Sequence, residues 1–193
     1  MLRRLYDWMI EQAGRRHALW ILAGLSFAES SFFPIPPDVM LIPMVLAVRQ
    51  RAWLIAGVCT VASVTGGFAG YAIGHYLFDA LGQPLLAFYG YEHKFAVFSE
   101  YYNEWGGWIV AAGGFTPLPY KVITIASGAT TLDPWVFLVA STLARGLRFY
   151  IVAALLWQFG PPIRRVLERH LGKFALLFFA LLIGAFLIIK VLA

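Results

Sequence analysis

Phe32-Phe33-Pro34-Ile35-Pro36-Pro37-Asp38 lies inside an apolar run that reaches from residue 18 to residue 48, and its reading decides the fold. Each proline fixes φ and removes a backbone donor, so a regular α-helix cannot continue through residues 34–37. A second step of the same kind, Thr116-Pro117-Leu118-Pro119-Tyr120-Lys121, interrupts the apolar stretch 107–131. Charge follows each Pro-X-Pro closely, as Asp38 in the first case and Lys121 in the second. Broken backbone is tolerated at bilayer depth only where it faces protein or a wet cavity. Broken apolar segments at corresponding positions in two halves of a chain point to a substrate site near the midplane. The expectation is therefore a transporter.

Composition agrees with a membrane setting. The chain is 61% hydrophobic and 13% charged, with a positive mean hydropathy, outside the range of soluble domains. Trp20, Trp53, Trp105, Trp108, Trp135 and Trp157 sit near segment ends, where amphipathic rings prefer headgroup depth. The single cysteine, Cys59, excludes an intramolecular disulfide and leaves no thiolate cluster for zinc or iron–sulfur, so no metal or cofactor is expected. The net charge of +5 is explained by loop charges and anionic lipid before nucleic acid is invoked.

The charges also set a topology. Residues 1–17 alternate Leu2, Leu5, Tyr6, Met9 and Ile10 with Arg3, Arg4, Asp7 and Glu11, which reads as an interfacial amphipathic helix and not a cleavable leader. Arg15 and Arg16 before the run 18–48, and Arg49 and Arg51 after it, place both ends on the cytoplasmic side, making this run a re-entrant hairpin. Residues 52–78 exceed the ~20 residues a spanning helix needs and cross outward. The polar stretch 79–105, with Asp79, Glu92, Glu100 and Glu104 against Lys94, is extracytoplasmic. Residues 107–131 form the second re-entrant hairpin, 135–160 span back to Arg164, Arg165, Arg169 and Lys173, and 174–192 span once more. The expected fold is an all-α integral membrane protein with an inverted repeat of re-entrant hairpin plus transmembrane helix, and its N-terminus is cytoplasmic.

Ionisable groups at bilayer depth cost about 2.5–3.5 kcal/mol each on insertion scales and are candidates for function. Glu29 and Asp38 flank the first break, Lys121 follows the second, and Arg145 and Arg148, three residues apart, share one face of the 135–160 span. Two guanidiniums need anions opposite them, either Glu29 and Asp38 or the phosphate of a ligand. A permanent salt-bridge network is the competing interpretation, and Lys121 can also snorkel to the interface. Gly66, Gly70 and Gly74 make a smooth helix face for close packing, while His75 reads as an interface histidine with a capacity to titrate.

Taken together, Phe27-Ala28-Glu29 through Asp38, the Gly66-x-x-x-Gly70-Tyr71-x-x-Gly74 helix, Gly114-Phe115-Thr116-Pro117-Leu118-Pro119-Tyr120-Lys121, Ala126-Ser127-Gly128, and Arg145-x-x-Arg148-Phe149-Tyr150 resemble the DedA family, also called SNARE-associated or VTT-domain proteins. The short YqaA-like branch is the nearest in pattern. That resemblance implies a bacterial inner-membrane lipid transporter, linked to flipping undecaprenyl phosphate or phospholipids and to maintaining the proton motive force. The family's membrane-embedded acidic pair maps onto Glu29 and Asp38, and its later arginines onto Arg145 and Arg148. The mechanism expected from the charges has Arg145 and Arg148, with Lys121, hold a lipid phosphate, while Glu29 and Asp38 compete for the arginines and couple transport to protons. Many members carry arginines around the second break, where this chain has Thr116 and Lys121. Other classes compatible with the same charges are an ion- or proton-coupled small-solute carrier and a non-transporting membrane assembly factor, and a homo-oligomer is compatible with each reading. An enzyme is not expected, because no metal-ligand or nucleophile motif is present.

Overall fold

The computed structural model describes residues 17–33, 36–116 and 119–160. The expected interfacial helix, apart from His17, and the span 174–192 lie outside these residues, as do Pro34 and Pro117 of the expected breaks. The described residues are mostly helical, with no strand among them. Helix α1 covers Ala18–Ser31 and α2 covers Asp38–Ala47. After a 3-10 turn at Arg49–Arg51, α3 runs through Ala52–Leu77. A π-helical turn, Phe78–Gly82, leads to α4, Gln83–Tyr89, then α5, Glu92–Phe115, α6, Tyr120–Ala129, and α7, Pro134–Gly160.

Local chemistry sets the boundaries. Helices α2 and α6 are ten residues each, about 15 Å at 1.5 Å per residue, half the hydrocarbon thickness. Each begins directly after a proline, Pro37 or Pro119, and Thr116 before the second is extended at φ −76°, ψ 165°. Asp133 caps α7, its Oδ1 accepting from the Trp135 and Val136 amides at 2.8 and 3.0 Å, with Pro134 at the first helical position. Residues 92–115 form one helix, so the boundary expected at 105–107 is a change of composition and not of backbone. Gly106 and Gly107 sit within it, beneath Leu132 and Val136.

Helix α6 ends in a Schellman motif. The Leu132 amide donates to Ser127 O at 3.0 Å and the Thr131 amide to Gly128 O at 3.1 Å. The residue in the left-handed conformation is Thr131, at φ +53°, where a β-branched side chain is strained. Thr131→Gly is expected to raise stability by about 1 kcal/mol, read as a later unfolding midpoint in detergent.

Named contacts give each helix its sense. Ser26 meets Cys59 and Ser30 meets Ser63, so α1 and α3 run the same way. Gly67 lies against Tyr120, Gly70 against Thr124 and Gly74 against Ala129, so α6 shares that sense. Trp53 with Trp157, Thr60 with Gly146, and Phe68 with Phe137 make α7 antiparallel to α3. Asp38 with Arg148 and Leu46 with Gly160 align α2 with α7, while Gly113 with Ile123 and Asn103 with Thr130 make α5 antiparallel to α6. Helices α1, α3 and α6 thus point one way and α2, α5 and α7 the other.

Helix α3 is the axis of this arrangement. Every fourth residue of α1, Ala18, Leu22, Ser26 and Ser30, is buried, the spacing that keeps one face on a partner. Small side chains allow the approach, since lipid tails are as apolar as Leu and association rests on packing and hydrogen bonds. The core divides into two apolar clusters. One gathers Leu22, Met40, Leu41, Val45, Ile55, Cys59, Phe149 and Leu156, and the other Tyr102, Val110, Leu132, Phe137 and Ala140. Between them, on both α3 and α7, lies a polar layer.

Candidate functional site

The polar layer is built around Arg145, halfway along α7. Its side chain is 0% exposed, and its Nη2 donates to Glu29 Oε2 at 2.7 Å. The Arg145 Nε donates to Ser63 Oγ at 2.6 Å; Ser63 and Ser30 share a 2.7 Å hydrogen bond, and the Ser30 hydroxyl lies 3.1 Å from Glu29 Oε2. Glu29 and Ser30 stand in the last turn of α1, Ser63 at mid-length of α3. A charge fully removed from water needs such partners, since an unpaired one is far costlier than any apolar replacement.

Aromatic rings close the guanidinium's faces. Its Cζ lies 4.7 Å from the Tyr120 ring centre and 4.8 Å from that of Phe149, within cation–π range. Tyr120, the first residue of α6, donates to Ser141 Oγ at 2.5 Å. Among the described residues, Arg145 Nη1 has no hydrogen-bond partner. The layer continues in Thr124, whose hydroxyl donates toward the carbonyls of Ser30 at 3.1 Å and Lys121 at 2.9 Å, tying the end of α1 to the start of α6.

A second pair lies one turn away at the edge. Arg148 Nη2 meets Asp38 Oδ2 at 2.5 Å, with side chains 22% and 21% exposed. Asp38 opens α2, where the positive end of the helix dipole also favours its charge. The exposures rank the pairs: Arg148 is partly open at the edge, and Arg145 is enclosed.

The structure therefore brings together four of the five charged candidates, Glu29 with Arg145 and Asp38 with Arg148. Lys121 is half-buried at the start of α6, and among the described residues no ion pair or hydrogen bond joins its ammonium to the other four. Pro36 and Pro119 stand between helices, adjoining the layer. Gly66 and Gly70 admit α1, with Phe27 O and Ser30 O against them, and Gly74 admits α6. His75 lies beyond the layer, stacked on Tyr71 at 6.3 Å. Sequence reasoning gave no site role to Ser30, Ser63, Thr124 or Ser141, and it quoted Tyr120 and Phe149 only as parts of motifs. The available signal was hydroxyls at helix-interior positions of apolar segments, and an aromatic one turn after Arg145.

Long apolar helices at Arg49–Ala80 and Pro134–Gly160, enclosing a layer of paired charges, define a helical membrane protein. A family model described as the VTT domain matches residues 35–158, and the chain belongs to that family, the DedA family. It is 37% identical over 168 residues to an uncharacterized protein of Haemophilus influenzae, covering 85% of this chain and 87% of the relative. A Histophilus somni protein, also uncharacterized, is 34% identical over the same shares. A more distant relative from Methanocaldococcus jannaschii is 28% identical over 66% of this chain and 77% of its own length. No solved structure matches.

Proposed function

We propose that this chain moves a phosphate-bearing lipid, such as undecaprenyl phosphate or a phospholipid, across the cytoplasmic membrane, with Arg145 and Arg148 as the phosphate-binding groups. The observation that carries the reading is the Arg145 guanidinium, wholly buried where the end of α1, the start of α6 and the middles of α3 and α7 meet. A buried ion pair is a poor stability device beside apolar packing, so one such pair with a second, part-exposed pair beside it in a small membrane fold argues for use. Guanidinium binds phosphate through two parallel hydrogen bonds, and the lipid's tails remain in the bilayer while its headgroup passes through the layer.

In this reading α1–α2 and α5–α6 are re-entrant hairpins, and α3 and α7 are the spans that follow them. The helix senses support an inverted repeat, because each unit reverses direction at its break and the second unit runs opposite to the first. The basic residues Arg49 and Arg51 beside the start of α3 support a cytoplasmic assignment for that end, and this reading takes the N-terminus to lie on the same side. Glu29 and Asp38 compete with lipid phosphate for the same arginines. Protonation of either carboxylate weakens its hold on the guanidinium, which would couple headgroup movement to the proton gradient. Lys121 adds a third cation near the second break.

The test is reconstitution into vesicles with a fluorescent lipid phosphate in both leaflets and a membrane-impermeant quencher outside. Arg148→Ala removes the outermost cation while leaving the buried layer in place, and flipping is expected to fall at least about tenfold, the loss of one charged hydrogen bond. Wild-type rates in Arg148→Ala would end this reading. Ion flux with no lipid movement would assign the layer to small-solute transport instead.

A further inference from the structure

Arg145 has a long side chain, and four contacts leave it little freedom. Two are polar, to Glu29 and Ser63; the other two are the rings of Tyr120 and Phe149. Phe149 sits one turn along the same helix and travels with Arg145. Tyr120 belongs to another helix, and three things fix its ring. Its hydroxyl is tied to Ser141, one turn before Arg145 on α7. Its two edges face Gly67 of α3 and Gly114 of α5, where the lack of side chains leaves slots for a flat ring. It is also 0% exposed.

We propose that Tyr120 is a positioning residue for the proposed lipid-phosphate site: its ring, anchored through Ser141, holds the Arg145 guanidinium in the orientation that presents a two-pronged donor to phosphate. The inference rests on the transport reading and gives it a determinant outside the charged set. The physical reason is preorganisation. A planar donor matches a phosphate only if its plane is fixed beforehand, and ordering a free arginine during binding subtracts from affinity. Glu29 at Nη2 and Ser63 at Nε hold one edge of the guanidinium, and rocking about the line through those two contacts is what the flanking rings restrict.

The experiment measures binding of short-chain phosphatidic acid, and of the matching diacylglycerol, to the purified full chain in detergent. Wild type is expected to prefer the phosphate lipid. Tyr120→Leu removes the ring and should cut the affinity for phosphatidic acid about tenfold, the loss of one desolvated cation–π contact, leaving diacylglycerol unchanged. Tyr120→Phe keeps the ring and should retain binding within about threefold, the value of one neutral hydrogen bond. Ser141→Ala should weaken binding in the wild-type background by a similar factor and have no further effect in the Tyr120→Phe background, because the hydroxyl contact is already gone. If Tyr120→Leu is not recovered folded, this double-variant cycle carries the test.

Unchanged phosphate preference in Tyr120→Leu, equal weakening of both lipids, or an additive effect of Ser141→Ala on Tyr120→Phe would each overturn the positioning role while leaving the transport reading intact. A wild-type protein with no preference for phosphate over its uncharged counterpart would remove the transport reading and this inference together.

Discussion

Arg145→Ala is expected to lower stability by about 3–5 kcal/mol, because it leaves Glu29 charged and largely buried without its cation. The Glu29 side chain is only 13% exposed, and its remaining hydrogen bond among the described residues comes from the neutral Ser30 hydroxyl. Truncation also empties the space between Tyr120 and Phe149, whose rings both lie against the guanidinium. Such a loss makes absence of transport uninformative by itself. The decisive companion is the double substitution Glu29→Leu with Arg145→Met. Replacing a buried pair by apolar groups of similar volume is often neutral or stabilising, and here Ser30 and Ser63 still satisfy one another at 2.7 Å. The double variant should recover to within about 1 kcal/mol of wild type, measured by denaturation in detergent, yet show background flipping in vesicles. Wild-type flipping from this apolar pair would mean that the charge layer only holds the helices together.

How far the sequence revealed this site follows from what a bilayer penalises. Glu29, Asp38, Arg145 and Arg148 stand out because a charge at that depth needs a reason, and the two breaks because closely spaced prolines remove donors and crowd the preceding turn, where the single Pro43 is accommodated within α2. Pairing Glu29 with Arg145, across 116 residues, was one of two arrangements the charges allowed. Ser63 and Thr124 were invisible for the opposite reason: a hydroxyl can return its hydrogen bond to its own helix, as Thr60 does to Ala56 O at 2.8 Å. Nothing in the local sequence tells such a residue from Ser63, which bonds across to α7. Tyr120 read as part of a motif, and its role depends on Ser141 and Gly67, remote positions that only the helix packing brings to it. The segmentation differed at residues 105–107 because it followed the change from polar to apolar composition, and a helix can continue through such a change. In α5 Gly106 and Gly107 are packing sites on a continuous helix.

Gly128→Val should be the most destructive substitution outside the charge layer, and Gly74→Val should match it, because the two glycines form one crossing. A side-chain carbon at Gly128 would collide with Tyr71 O of α3, and one at Gly74 with Ile125 O of α6. Both obstacles are backbone, so no rotamer change relieves them and the helices must separate. Separation is costly in lipid, where close approach is itself the source of the association. The expected loss is about 3 kcal/mol, the upper end of overpacking, and alanine at either position should already cause most of it. The effect should also reach the charge layer, since α6 carries Tyr120 and Thr124 eight and four residues before Gly128. Gly24 supplies the control. It is exposed on α1, with nothing within 4 Å of a side-chain carbon, so Gly24→Ala should be neutral or add about 0.5–1 kcal/mol through the reduced freedom of the unfolded chain. Equal behaviour of Gly24→Ala and Gly128→Ala in unfolding would show that α3 and α6 do not meet backbone to backbone. A loss confined to Gly74 and Gly128 would establish that this crossing, and not glycine content in general, sets the position of the second break against Arg145.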